Sequence, residues 1–288
     1  MSYKTLLVHL DDSRPCSART AVALDLARRF DAHVIGLYIV CQELLHPLCR
    51  TDESLRPAAL EAQHEERQQR ARSAFLDAAQ RAGCSAEWRA PPGPAVETAT
   101  LHARHADLSV LGQTDPKDPA TYIARHFVED LLMTSGRPAL VIPYAGKVET
   151  LGDNVIVAWD ASLEAARALS DSLPLIRRAR FVTVEEIVRH RDARDERDEV
   201  YEASDTHAPH AIDVSSFLER HHIRASFSTT PRVAGVSAGA TLLNRVSDLH
   251  ADLLVMGAYG HSRAQERVLG GATRTILESM TVPVLMSH

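Results

Sequence analysis

The 288-residue chain has little cysteine and no long apolar run. Its four cysteines, Cys16, Cys41, Cys49 and Cys84, match neither a disulfide framework nor a paired CxxC zinc site. We therefore expect reduced thiols. A metal site at Cys41, His46 and Cys49 is the weaker alternative, because it lacks a fourth ligand.

Membrane and export signals are also missing. No apolar stretch approaches the roughly 20 residues that cross a bilayer. The opening MSYKTLLVHLDDS enters an apolar strand without the three successive regions of a signal peptide. These absences predict a cytoplasmic protein with no membrane segment.

A surplus of basic residues is absent too. The 32 lysines and arginines stand against 38 acidic residues, for a net charge of -6, whereas nucleic-acid-binding proteins usually carry a basic surface. The composition therefore predicts no nucleic-acid partner. The signatures G-x-G-x-x-G and GxxxxGK[ST] do not occur, which disfavours a standard dinucleotide dehydrogenase or a P-loop NTPase. A small anion can still bind, because backbone amides supply positive potential locally.

What the chain does contain is a tandem repeat. Each half opens with a short apolar strand that ends in Asp, with Ser two residues later, and each half closes with two further matching segments. A polar segment, 145–153, lies between the halves. We therefore predict two domains, 1–146 and 152–288. The matching pairs are LLVHLDDS (6–13) with VIVAWDAS (155–162), ADLSVLG (106–112) with ADLLVMG (251–257), and RPALVIP (137–143) with TVPVLMS (281–287).

Strands and helices alternate along each half. After the first strand, apolar residues recur at every fourth position, as in Ala18, Val22 and Leu26, which indicates an amphipathic helix. Ser13 and Ser162 are predicted to cap the two equivalent helices. The strands are short and continuously apolar, which is typical of a parallel sheet covered by helices on both faces. We predict an α/β fold of two tandem doubly wound, Rossmann-like domains of the adenine-nucleotide alpha-hydrolase-like kind.

A glycine pattern follows the ADLLVM strand of the second half. Gly257 and Gly260 are followed by nine residues and then by Gly270-Gly271-Ala272-Thr273, at the start of a helix predicted over 272–279. Glycines let the backbone approach a ligand closely, and the free N–H groups at a helix start attract anions. The alternative is a turn and a tight helix start without a ligand. Placed after a buried strand, the pattern favours a phosphate-binding loop, to which cationic side chains would contribute from His261, Arg263 and Arg267.

Over nearly its whole length the chain resembles a tandem member of the universal stress protein family. That family carries G-x2-G-x9-G followed by Ser or Thr, and an Asp at the end of the first strand. The resemblance implies binding of ATP or a related adenine nucleotide, with or without Mg²⁺. It implies that Asp160 contacts the adenosine part and that Ile187 flanks the base. The residues that it places around the ribose and phosphates are Gly257, Gly260, Gly270, Gly271, Ala272 and Thr273.

The two halves depart from the family pattern to different extents. In the second half, Gly271 stands where the family has Ser or Thr, so one hydroxyl contact worth about 0.5–1.5 kcal/mol is lost while the backbone N–H remains. In the first half, Gly112 persists but Asp115 stands at the position of Gly260. Two bulky residues, Arg125 and His126, replace the Gly270-Gly271 pair. We therefore expect one nucleotide site per chain, in the second half, and a structural role for Asp11.

No catalytic constellation stands out. Most of the 15 histidines lie in polar helices or loops, no nucleophile occupies an elbow, and no paired carboxylates accompany the glycine loop. We expect a stress-response sensor or regulatory module that binds a nucleotide and acts on a protein partner that the sequence does not identify. Two alternatives stay open: an interaction scaffold of the same fold that binds no nucleotide, and a weak ATPase.

The last strand of each half would present an open edge. In single-domain relatives, as the resemblance implies, two chains pair through this strand. We therefore expect strands 138–143 and 282–287 to pair within one chain as an internal pseudo-dimer. A homodimer through another surface is left open.

Overall fold

The structure is a computed structural model, and it describes residues 2–40, 57–115, 117–118, 126–188, 208–260 and 271–288. The chain forms two compact units, Met1–Val148 and Glu149–His288. Both units alternate strands and helices as expected, so the predicted tandem α/β fold is confirmed. Among the described helices, none combines the length and the apolar character that a membrane crossing requires.

The N-terminal unit contains a five-stranded parallel sheet with the order β3-β2-β1-β4-β5. Gly36 on the second strand lies under the ring of Phe75, where a Cβ would come within 2.6 Å of a ring carbon. The glycine therefore lets a long helix pack closely on the sheet. The strands are β1 (Thr5–Leu10), β2 (His33–Tyr38), β3 (Ala86–Arg89), β4 (Leu108–Gly112) and β5 (Ala139–Ile142). The described helices are α1 (Cys16–Phe30), α2 (Pro57–Ala82), α3 (Ala95–Ala103) and α4 (Phe127–Ser135).

The C-terminal unit repeats this arrangement, with the parallel order β8-β7-β6-β9-β10. Its two central strands carry buried apolar runs, residues 155–157 and 253–256, as expected under helices on both faces. The strands are β6 (Asn154–Ala158), β7 (Phe181–Val188), β8 (Ser226–Pro231), β9 (Leu253–Gly257) and β10 (Val284–Ser287). The described helices are α5 (Leu163–Ile176), α6 (Ala208–Arg220), α7 (Ala238–Asp248) and α8 (Ala272–Ser279).

The repeated ADL segment has a structural role in both units. The Asp107 carboxylate accepts hydrogen bonds from the backbone N–H groups of Lys4 and Thr5, at 2.7 and 3.0 Å. Its counterpart Asp252 accepts three backbone N–H groups at 2.9–3.1 Å, from residues 152–154. The repeated Asp therefore attaches the start of the first strand to its neighbour, which fixes the register of the sheet centre.

The two predicted helix caps behave differently. Ser162 caps α5 as expected, because its Oγ accepts the N–H of Ala165 at 3.1 Å. The prediction for Ser13 is wrong, because α1 begins later, after Pro15, without a side-chain cap. Ser13 instead donates its N–H and its hydroxyl to Asp11 Oδ1, at 3.1 and 2.5 Å. The buried Asp11 carboxylate requires hydrogen-bond donors, and Ser13 supplies two of them and does not cap the helix.

Candidate functional site

A cavity of about 700 Å³ lies at the carboxyl ends of β6, β7 and β9 in the C-terminal unit. Here the strand order reverses, since the chain continues from β6 to β7 on one side and returns with β9 on the other. Open parallel sheets bind ligands at such a switch point. The volume falls within the range of small-molecule and cofactor sites.

The structure brings most of the predicted site residues together at this cavity. Gly270 lies outside the described residues, as do the predicted cationic residues His261, Arg263 and Arg267. The predicted residues that line the cavity are Asp160, Ile187, Gly257, Gly260, Gly271, Ala272 and Thr273.

The helix α8 starts at the cavity wall. Its N-cap residue Gly271 supplies no side-chain oxygen to the first turn. N–H groups at a helix start attract anions. Thr273, which is buried, uses its Oγ1 to accept the N–H of Tyr259 at 3.2 Å. This hydrogen bond ties the loop after β9 to the helix. A hydroxyl that accepts one hydrogen bond can also donate one.

Two glycines allow the first turn of α5 to reach the same wall. A Cβ on Gly257 would lie 2.6 Å from the backbone nitrogen of Ala165, so only glycine permits this close packing. A Cβ on Gly260 would lie 2.9 Å from Glu164 Oε2. The Glu164 carboxylate therefore stands at the glycine loop.

The rim of the cavity carries charges of both signs. Asp160 is exposed, and one of its carboxylate oxygens accepts the N–H of Ser162 at 3.0 Å. Arg232 adds a cation to the lining, and Glu164 adds a second carboxylate. A ligand here would meet acceptors for hydroxyl groups on one side and the helix start on the other.

Two further residues of the lining were not predicted. Glu185 is fully buried in β7, where its carboxylate accepts hydrogen bonds from Thr230 Oγ1 at 2.5 Å and Arg245 Nε at 3.3 Å. The sequence signal that could have identified Glu185 is a glutamate in the middle of the predominantly apolar strand FVTVEEIV. The indole N–H of Trp159 is buried and has no acceptor among the described residues.

The equivalent place in the N-terminal unit holds only about 10 Å³ of space, which is room for roughly one water molecule. Arg19 fills it: Nη2 donates to Asp11 Oδ1 at 2.9 Å and Nε donates to the His9 carbonyl at 2.7 Å. The guanidinium lies against Gly112, where a Cβ could not fit. Burial by itself would raise the pKa of Asp11, but Arg19, His9 and Ser13 together lower this pKa to about 2.

His9 is buried beside this space and packs against Phe127, which lines it. Its Nε2 lies 3.0 Å from the Ile39 carbonyl oxygen, and its ring packs against Phe127 with the ring centroids 4.9 Å apart. Burial lowers the pKa of His9 to about 4, against an opposing effect of Asp11. The imidazole is therefore neutral at pH 7 and donates its Nε2–H to the carbonyl.

The residues predicted to block the first site have unequal roles. Asp115 borders the small space, as the alignment with Gly260 predicts. His126 does not border it, because its exposed imidazole lies 3.1 Å from the carboxylate of Glu129. Arg125 lies outside the described residues. Neither Arg19, which fills the space, nor His9, which packs beside it, was predicted from the sequence.

The described part of the chain contains no cluster of metal-ligating side chains. No group of three or more His, Cys, Asp or Glu side chains there could hold a metal ion. Cys16 and Cys84 are free thiols. The alternative site at Cys41, His46 and Cys49 lies outside the described residues.

Solved structures show the same fold. A universal stress protein from Archaeoglobus fulgidus DSM 4304 is 15% identical, with 98% of this chain and 95% of that chain covered and a TM-score of 0.71. A functionally unknown protein, PA1789 from Pseudomonas aeruginosa PAO1, is 16% identical, with coverages of 99% and 92% and a TM-score of 0.55. A universal stress protein in complex with cAMP is 17% identical and matches 47% of this chain and 96% of its own, with a TM-score of 0.35.

The family of the chain follows from its sequence. No curated protein sequence matches the chain significantly. The model of the universal stress protein family matches it twice, over residues 2–143 and 152–288. The chain therefore belongs to the universal stress protein family, with one family domain in each half.

Proposed function

We propose that the C-terminal domain binds ATP or a related adenine nucleotide in the 700 Å³ cavity, and that the protein acts as a nucleotide-responsive sensor or regulatory module in a stress response. The observation that carries this proposal is the start of α8 at the cavity, beside the glycine loop and without a side-chain cap. A helix start of this kind attracts a phosphate through its free N–H groups and its dipole.

The opposite side of the cavity suits a nucleoside. Asp160 offers carboxylate oxygens to ribose hydroxyl groups, at the end of β6. Ile187 and the apolar side chains of Val236 and Leu242 offer a surface for a flat base. The charged and the apolar parts of the cavity thus match the two ends of a nucleotide.

Mg²⁺ fits this site as a companion of the phosphates. Asp160 and Glu164 supply the hard carboxylate oxygens that Mg²⁺ prefers. The Glu164 carboxylate lies at the glycine loop, where it would repel a phosphate that arrives without a cation. We therefore expect ATP to bind more tightly with Mg²⁺ than without it.

Equilibrium binding of ATP with Mg²⁺ to the full chain tests the proposal. We expect one site in the wild type and at least about a tenfold loss of affinity in Gly260→Asp, because the new carboxylate would lie beside Glu164 in the phosphate cradle. Thr229→Asp is the matched control, since Thr229 is exposed on β8 and does not line the cavity. cAMP serves as a second probe.

Other outcomes would favour the alternatives. Absent binding in the wild type, or equal weak binding in the wild type and Gly260→Asp, would favour an interaction scaffold of the same fold that binds no nucleotide. ATP turnover that survives exhaustive purification and is lost in Asp160→Ala would favour a weak ATPase. The cytoplasmic location and the pairing of strands 138–143 and 282–287 stay predictions from the sequence.

A further inference from the structure

The sheet registers of the two domains define which residues are equivalent at the site. In the N-terminal domain, Thr5 pairs with His33 across β1 and β2. In the C-terminal domain, Asn154 pairs with Phe181 across β6 and β7. Counting along these strands from the paired residues gives three further pairs, His9 with Ala158, Asp11 with Asp160, and Ile39 with Ile187.

His9 lies where the base of a nucleotide would lie in the other domain. Its planar ring packs on Phe127 and donates an N–H to the carbonyl of Ile39, the counterpart of Ile187. In the C-terminal domain the equivalent residue is Ala158, a cavity-lining side chain of one methyl group. The imidazole of His9 thus fills this position in the N-terminal domain, whereas the same position is open space in the C-terminal domain.

Arg19 lies where the ribose and the first phosphate would lie. Its guanidinium donates to Asp11 and packs on Gly112, the counterparts of Asp160 and Gly257. Continuing the offset of 149 residues that relates Asp11 to Asp160 places Ala168 at the position of Arg19. Both residues that fill the N-terminal site are therefore alanines in the C-terminal half.

We infer that the N-terminal domain is self-liganded: the side chains of His9 and Arg19 occupy the places of the base and the ribose in a latent nucleoside site. This inference rests on the proposed function, because the C-terminal cavity defines those places. The N-terminal domain then keeps its closed conformation without a nucleotide, and the response of the protein to nucleotide resides in the C-terminal domain. The latent site suits a nucleoside without phosphates, because Asp115 stands where Gly260 leaves room.

Transfer of the histidine to the other domain tests the inference. In Ala158→His, the new imidazole should reach the carbonyl of Ile187 and lower the affinity for ATP with Mg²⁺ by at least about tenfold. Ser279→His is the control, since Ser279 is exposed at the far end of α8. Absent binding in the wild type would overturn the proposed function. Binding in the wild type that persists unchanged in Ala158→His would overturn the self-liganded site alone.

The reverse change is made in the chain that carries Ala158→His. Adding His9→Ala and Arg19→Ala should open the N-terminal site, so that adenosine binds where the Ala158→His parent shows no binding. ATP should not bind there, because of Asp115. A folded triple variant that binds no adenosine at millimolar concentration would overturn the inference. If the triple variant does not fold, the result with Ala158→His decides.

Discussion

The two domains share one fold and differ in what occupies the carboxyl end of the sheet. The C-terminal domain leaves a cavity of about 700 Å³ there, and the N-terminal domain about 10 Å³. The strand-end Asp persists in both, with opposite surroundings: Asp160 is exposed, whereas Asp11 is buried and paired with Arg19. The comparison shows that one fold can keep the strand-end Asp while its surroundings change from an open cavity to a buried ion pair.

Removal of Arg19 should have the largest effect on the N-terminal domain. In Arg19→Ala, Asp11 would remain buried without its ion-pair partner, and we expect its domain to lose about 3–5 kcal/mol of unfolding free energy. Urea unfolding, followed by Trp88 fluorescence in a Trp159→Phe background, reports on this domain because the chain has only these two tryptophans.

Arg70→Ala is the control for that experiment. Arg70 pairs with Glu66 on the exposed face of α2, where both side chains are 67% exposed. Such a pair is worth about 0.3–0.5 kcal/mol. Equal effects of the two substitutions would show that the buried pair contributes no more than a surface pair.

The next largest difference between the domains should be in how their stability depends on pH. The folded-state pKa of His9 is lowered from 6.5 to about 4, so the unfolded chain binds the proton first as the pH falls. Stability of the N-terminal domain is therefore present above pH 6.5 and is lost as the pH falls toward 4, by about 3 kcal/mol in total. The C-terminal domain has Ala158 at this position and lacks this contribution. Unfolding midpoints measured from pH 7 to pH 4 test the difference, and His9→Ala should reduce the slope.

The smallest effects concern the two equivalent serines. Ser13→Ala should cost about 1.5–3 kcal/mol, because the hydroxyl donates to a buried carboxylate. Ser162→Ala should cost about 1 kcal/mol, the usual value of a helix cap. Thermal unfolding of the two variants gives the comparison. A larger loss in Ser162→Ala would contradict the assignment of Ser13 to the buried network.

Much of the fold could be predicted because its signals are local. The strand-Asp-Ser repeat and the two ADL segments predicted the element order, and the glycine pattern predicted a helix over 272–279, as the structure has it. In the structure one cavity is lined by five residues of this pattern and by Asp160 and Ile187, which the family resemblance had supplied. The cap at Ser13 was wrong because α1 begins after Pro15 and the Ser13 hydroxyl donates to the buried Asp11 carboxylate, a tertiary environment that a propensity argument does not include.

By itself, the sequence determined the duplication, the parallel α/β order and the weaker phosphate loop of the first half. These depend on periodicity and on residue types at fixed spacing. Only the tertiary structure decided that the first site is filled by its own side chains. Arg19 lies 93 residues before Gly112, and His9 lies 30 residues before the Ile39 carbonyl. Whether a side chain fills a cavity or leaves it open depends on which distant backbone it meets, and that is a property of packing.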